Sequence, residues 1–237
     1  MSQTFEGFPK EGIQFLRQLK RNNNRDWFLP RKHVYEEKVR APMIAFLTSL
    51  REGLLKFAPE MDFDPKKAVY HIYRDVRFSQ DKSPYKAHIA ASIRPDLPCN
   101  TPAGLYIHVE PKEVFVAGGL YMPGQPELSA IRKSIAADYR KLRKILQAER
   151  FRKHFGKLQG EQLSRAPRGI SPDHPALDLL RYKQFLAYEQ LPVQTAYSGE
   201  LTRRSLEIFR AVMPMIRFLN KALGAVPPSF TAHRRFG

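Results

Sequence analysis

Between Arg74 and Lys86 the chain crowds charge into thirteen residues: Arg74, Asp75, Arg77, Asp81, Lys82 and Lys86. Cations in such a cluster suit an anion. Arg77, Lys82 and Lys86 could clamp a phosphate or carboxylate, the guanidinium supplying two-pronged geometry and the ammonium groups point charge. Asp75 or Asp81 could then act as general base or metal ligand, and His88, just beyond, is a third candidate for proton transfer. The competing reading needs no ligand. Ion-pair networks imitate active sites, Asp81 can close the turn through its own side chain, and Lys82 can simply be solvated. Arg74 leans toward that structural role, because alternation places it with Tyr70, Ile72, Val76 and Phe78 on the apolar side of the segment.

Around the cluster the hydrophobic period is two, the mark of half-buried strands. Val69–Phe78 and Lys86–Arg94 read as a hairpin, which brings Lys86 and His88 beside Asp75 and Arg77. Tyr85 ends the turn, and Tyr106 and His108 join from the next strand. Three imidazoles, His71, His88 and His108, fall on the polar face. Three such groups with an open position suit catalytic zinc or iron, but no His-x-His or His-x-x-x-His pair occurs, so ordinary half-exposed histidines are expected and no metal. No cofactor is indicated. No G-x-S-x-G elbow, P-loop or G-x-G-x-x-G is present, which leaves Ser79 and Ser83 as turn residues.

Other elements must hold this segment in place. Ile13, Phe15, Leu16 and Leu19 recur at helical spacing, and Asn22–Asn24 ends that helix. Trp27-Phe28 anchors the turn that follows. A second helical stretch, 31–57, is divided by Pro42. Further strands are expected at 105–109, 114–120 and 184–188. A helix is expected from Pro126 to Gln147, a loop over 156–173, and a long helix over 199–223, capped by Ser198 and kinked or divided at Pro214. Helices, strands, then helices imply an α+β fold, an antiparallel meander with helices packed mainly on one face. The length, 237 residues, suits a single domain.

Charge sets a second theme. The 40 Lys and Arg against 23 Asp and Glu leave +17. Residues 126–237 hold 21 basic and 9 acidic side chains against 19 and 14 in residues 1–125. That field favours a small anionic ligand or nucleic acid as partner, or simply keeps the chain dispersed. Phe151 and Phe155 on the basic stretch 139–157 would stack bases only if exposed, and their spacing favours core. Cys99, the single cysteine, excludes a disulfide framework and has no cation beside it to activate a thiol. With neither a signal-like start nor an apolar run of membrane length, a reducing cytoplasm is the expected setting. A non-catalytic partner-binding protein is the remaining alternative.

Asn23-Asn24-Arg25-Asp26-Trp27-Phe28, Arg74-Asp75-Val76-Arg77-Phe78 and Asp81-Lys82-Ser83-Pro84-Tyr85-Lys86 together resemble the domain of unknown function 2461 family. Gly104-Leu105-Tyr106, Gly118-Gly119, Ile131-Arg132 and Leu180-Arg181-Tyr182-Lys183 extend the likeness from about Phe5 to Leu223. The family's name records that its function is not established, so the resemblance implies motif positions rather than a mechanism. It adds Arg132 and Lys183 as outlying cations for the anion.

Overall fold

The computed structural model describes residues 5–97 and 102–224. Cys99 and the basic tail from residue 225 therefore lie outside the described residues. The chain opens with α1 (Lys10–Arg21), then α2 (Arg25–Phe28) and α3 (Lys32–Tyr35), a π turn at Glu36–Arg40, α4 (Ala41–Leu55) and α5 (Pro65–Ala68). The apolar spacing of α1 buries Ile13, Phe15, Leu16 and Leu19. Pro42 sits in the first turn of α4, where its missing N–H is tolerated. It cannot donate to the Lys38 carbonyl four residues back, and the chain reaches it through the wider π turn rather than a break.

Four antiparallel strands follow in the order β1-β2-β3-β4: β1 (Ile89–Ile93), β2 (Gly104–Glu110), β3 (Glu113–Leu120) and β4 (Phe185–Leu191). Alternation holds on all four. Ile89, Ala91, Ile93, Leu105, Ile107, Val109, Val114, Val116, Phe185 and Leu191 are buried. The strands' intervening residues line the opposite face. The expected strand Val69–Phe78 is not formed. Only two isolated bridges, Val69 to Ala91 and Tyr73 to Tyr85, tie this segment to its neighbour. Beyond Arg74 the chain turns away, because Asp75 and Arg77 pair with each other instead of continuing a ladder. Parity consequently fails there: Phe78, expected on the apolar side, is 96% exposed.

The second helical half contains α6 (Gln125–Ala137), α7 (Tyr139–Gln147), α8 (Glu149–Phe155), α9 (Leu177–Leu180) and α10 (Glu200–Ala222). The single helix expected over 126–147 is broken at Asp138, a residue of non-helical backbone between α6 and α7. Helix α10 runs unbroken through Pro214. Ser198 Oγ accepts from Glu200 N at 3.3 Å at its start, although Gly199 is the capping position. Helix α10 lies across β3, where a side chain at Gly118 would come within 2.6 Å of Val212. Phe151 and Phe155 are buried core residues. The loop 156–173 is held to the sheet: Gln159 exchanges backbone hydrogen bonds with Leu186 along the outer edge of β4. Val69 and Tyr70 meet the outer edge of β1 in the same way, so part of each edge is already paired.

Candidate functional site

With helices on one side, the other face of the sheet carries the residues that could meet a ligand. Register puts Ser92 beside Tyr106, Tyr106 beside Ala117, His108 beside Phe115 and Ala117 beside Tyr188. Four rings from neighbouring segments form a row. Tyr70, Tyr106, Phe115 and Tyr188 follow one another at centroid separations of 6.2, 5.7 and 6.0 Å. Above them opens a cavity of about 580 Å³, whose cationic lining residues are Lys86 and Arg94. Among the described residues no Asp or Glu lines it, and the small residues Gly104, Ala117 and Gly119 keep its floor low.

Lys86 is held by two contacts. Its Nζ donates to the His71 carbonyl at 2.6 Å and lies 5.6 Å from the Tyr70 ring centre, a cation–π placement. Burial pulls its ammonium below the usual lysine range. Among the described residues, neither Lys86 nor Arg94 has an acidic partner within 4.0 Å. An anion entering the cavity would therefore meet two positive groups whose charge is not already neutralised. Burial, reinforced by Tyr70, pushes the Tyr106 phenol up to about 12, so it stays protonated and able to donate.

Beside the cavity, His88 lies against His108 at a tilt of 35°, ring centres 4.4 Å apart, and Phe115 stacks on His108 at 4.7 Å. Burial pulls both imidazoles down to about 4; for His88 the neighbouring His108, Lys86 and Arg74 add to it, against Glu110. Both are thus neutral at neutral pH. His108 Nδ1 lies 3.3 Å from the Tyr106 hydroxyl, whereas its buried Nε2 has no hydrogen-bond partner. Glu110 Oε2 is 3.5 Å from that Nε2. Opposite a neutral ring this is not an ion pair.

The structure separates the residues that sequence grouped. Lys86, His88 and Tyr106 line the cavity, and His108 packs against two of its lining residues, His88 and Phe115. Asp75 and Arg77 do not; they form an exposed two-pronged pair with each other, at 2.7 and 3.0 Å. That pairing holds the Asp75 carboxyl below its usual range. Asp81 is hydrogen-bonded to Arg74 and accepts from Ser83 N at 2.9 Å. Those two residues hold its carboxyl well below the carboxylate range, Ser83 foremost. The buried partner expected for Arg74 is instead Asp81, an exposed turn residue. Lys82 donates to the Val76 carbonyl across the same turn. Tyr85 is buried, stacked 4.1 Å from Phe28. Arg132 donates to the carbonyls of Leu180 and Tyr182, and Lys183 pairs with Glu161 at 3.2 Å. His71 is exposed and apart from the other two histidines.

Sequence reasoning missed Tyr70, Arg94, Phe115 and Tyr188 as site residues. A signal existed for Phe115: it is an aromatic on the side of its strand opposite Val114 and Val116. Tyr188 had none, since its place beside Ala117 depends on a pairing across 71 residues of chain. No curated protein and no solved structure matches the chain. Residues 11–218 match the family described as conserved hypothetical protein (DUF2461), a span that includes the whole cavity and the paired turn beside it, and the chain belongs to that family.

Proposed function

We propose that the open sheet face binds a small phosphate-bearing ligand that also carries a planar ring, a nucleotide being the simplest such molecule. The observation that carries this reading is the acid-free cavity in which Lys86 and Arg94 stand over the row Tyr70, Tyr106, Phe115 and Tyr188. The cations suit the phosphate and the rings suit stacking. Asp75 and Asp81 lie outside this cavity and are engaged by their own arginines. His88 is then the nearest group for proton transfer, and an imidazole pulled down to about 4 is a weak base. Binding is accordingly the primary role, with catalysis resting on His88 if it occurs.

Calorimetric titration with AMP, adenosine and inorganic phosphate tests the reading. AMP is expected to bind more tightly than either fragment. Lys86→Ala and Arg94→Ala should each weaken it about tenfold or more, since a hydrogen bond to a charged group contributes about 1.5–3 kcal/mol. Phe115→Ala should weaken AMP and adenosine but not phosphate. Binding of all three ligands unaltered by these substitutions would sink the idea.

A single-stranded nucleic acid is the second reading, favoured by rings that continue across three strands at nearly even separations, because successive bases stack on such platforms. It predicts that a short oligonucleotide outcompetes AMP. No oligonucleotide binding at low salt would remove it.

A further inference from the structure

His108 Nε2 is enclosed in the protein yet bonded to nothing. A buried polar atom left so costs about 1–3 kcal/mol, and its surroundings show what would satisfy it. One step beyond the Ile89–Val109 pair, the β1–β2 register sets His88 across from Glu110, diagonal to His108. One donor atom from each of His88, His108 and Glu110 can be chosen so that all three lie within 4.8 Å of one another.

The separation between His108 Nε2 and Glu110 Oε2, 3.5 Å, is long for a hydrogen bond. It is close to the spacing of two ligands on one tetrahedral zinc, about 3.3–3.5 Å for bonds of about 2.0–2.2 Å. The other ring nitrogen is also arranged as a ligating histidine requires: Nδ1 lies against the Tyr106 hydroxyl, and such a second partner fixes the ring and its tautomer. Phe115 stacks on the ring plane, and the tilted His88 ring packs against it at 4.4 Å. Lys20, 4.0 Å from the Glu110 carboxylate, is the nearest competing cation and is largely exposed.

We propose that His88, His108 and Glu110 bind a divalent transition-metal ion of the zinc class through two imidazole nitrogens and one carboxylate. Three protein ligands leave a fourth tetrahedral position for water or an anion, the arrangement of sites that do chemistry rather than closed structural ones. Because His88 also lines the cavity, the metal adjoins the place where Lys86 and Arg94 stand. The site needs no phosphate ligand, so it stands or falls separately from the anion reading.

The test uses the full, tag-free chain, stripped with chelator and titrated with Zn²⁺ or Co²⁺ alone, by calorimetry and by the visible absorption of Co²⁺. One saturable site with the intense spectrum of four-coordinate cobalt is expected. His88→Ala and Glu110→Gln should each weaken it about tenfold or more, and Tyr106→Phe by about tenfold through the lost support of His108. His71→Ala should leave it unchanged. His108→Ala is not needed for the decision if it fails to fold. Absence of saturable binding, or binding that His88→Ala and Glu110→Gln both leave intact, overturns the proposal and assigns His108 Nε2 to a bound water.

Discussion

Two asparagines far apart in sequence do the same work at residues adjoining the cavity lining. Asn23 accepts from Tyr85 N at 3.0 Å and donates to Tyr85 O at 2.8 Å. Asn220 does the same for Ala103, at 2.8 and 3.1 Å, inside the core. Each replaces the missing strand partner of one backbone unit, and each fixes the residue preceding a cavity residue, Lys86 or Gly104. Substituting alanine strands two backbone groups, a loss of about 1–3 kcal/mol. Urea unfolding should show that loss for both Asn23→Ala and Asn220→Ala, the buried Asn220 costing more. At Tyr35, burial and the neighbouring Glu36 push the phenol up to about 12. The folded state keeps a proton that an unfolded tyrosine surrenders from about pH 10. The associated stability is therefore full below pH 10 and disappears as pH rises toward 12. Melting temperature should fall over that window, and fall less in Tyr35→Phe. The helix-ending role of Asn22–Asn24 was legible from sequence. The clamp on Tyr85 was not, since it depends on a contact 62 residues away.

At the scale of elements, close approaches decide how the helices meet the sheet and each other. A Cβ on Gly12 would come within 2.0 Å of the Lys38 carbonyl oxygen, the same carbonyl that Pro42 cannot serve as a donor. Helix α1 can pack against the π turn only without a side chain there. Backbone cannot retreat like a flexible side chain, so Gly12→Ala should destabilise by about 1–3 kcal/mol or more, measurable as a lowered denaturation midpoint. Gly118→Val would press into Val212 and Ile216 of α10 and should lose a comparable amount. The meander was readable because alternation along each of its strands is local. The failed strand at 69–78 shows the limit of that logic. Its start does join the sheet edge, Val69 bridging Ala91, but beyond Arg74 the pairs Asp75 with Arg77 and Arg74 with Asp81 lie within the turn, and no ladder continues.

For the whole molecule, the charge of +17 predicts weak, salt-sensitive association with polyanions whatever the specific ligand is. Each neutralised phosphate should steepen the log–log salt dependence by roughly 0.7–0.9. Binding of AMP, engaging two cations, should depend far less on salt, and fluorescence titrations at several ionic strengths would separate the two. Among the described residues no helix is long and apolar enough to cross a membrane. The sequence by itself determined the α+β class, the inward faces of β1 and β2, and the core role of Phe151 and Phe155. All of these follow from periodicity and residue chemistry within short stretches. Only the tertiary structure decided that Asp75, Arg77 and Asp81 are spent on the turn. Only it could align Tyr70, Tyr106, Phe115 and Tyr188 or gather His88, His108 and Glu110, because strand register brings together side chains whose positions along the chain carry no trace of their meeting.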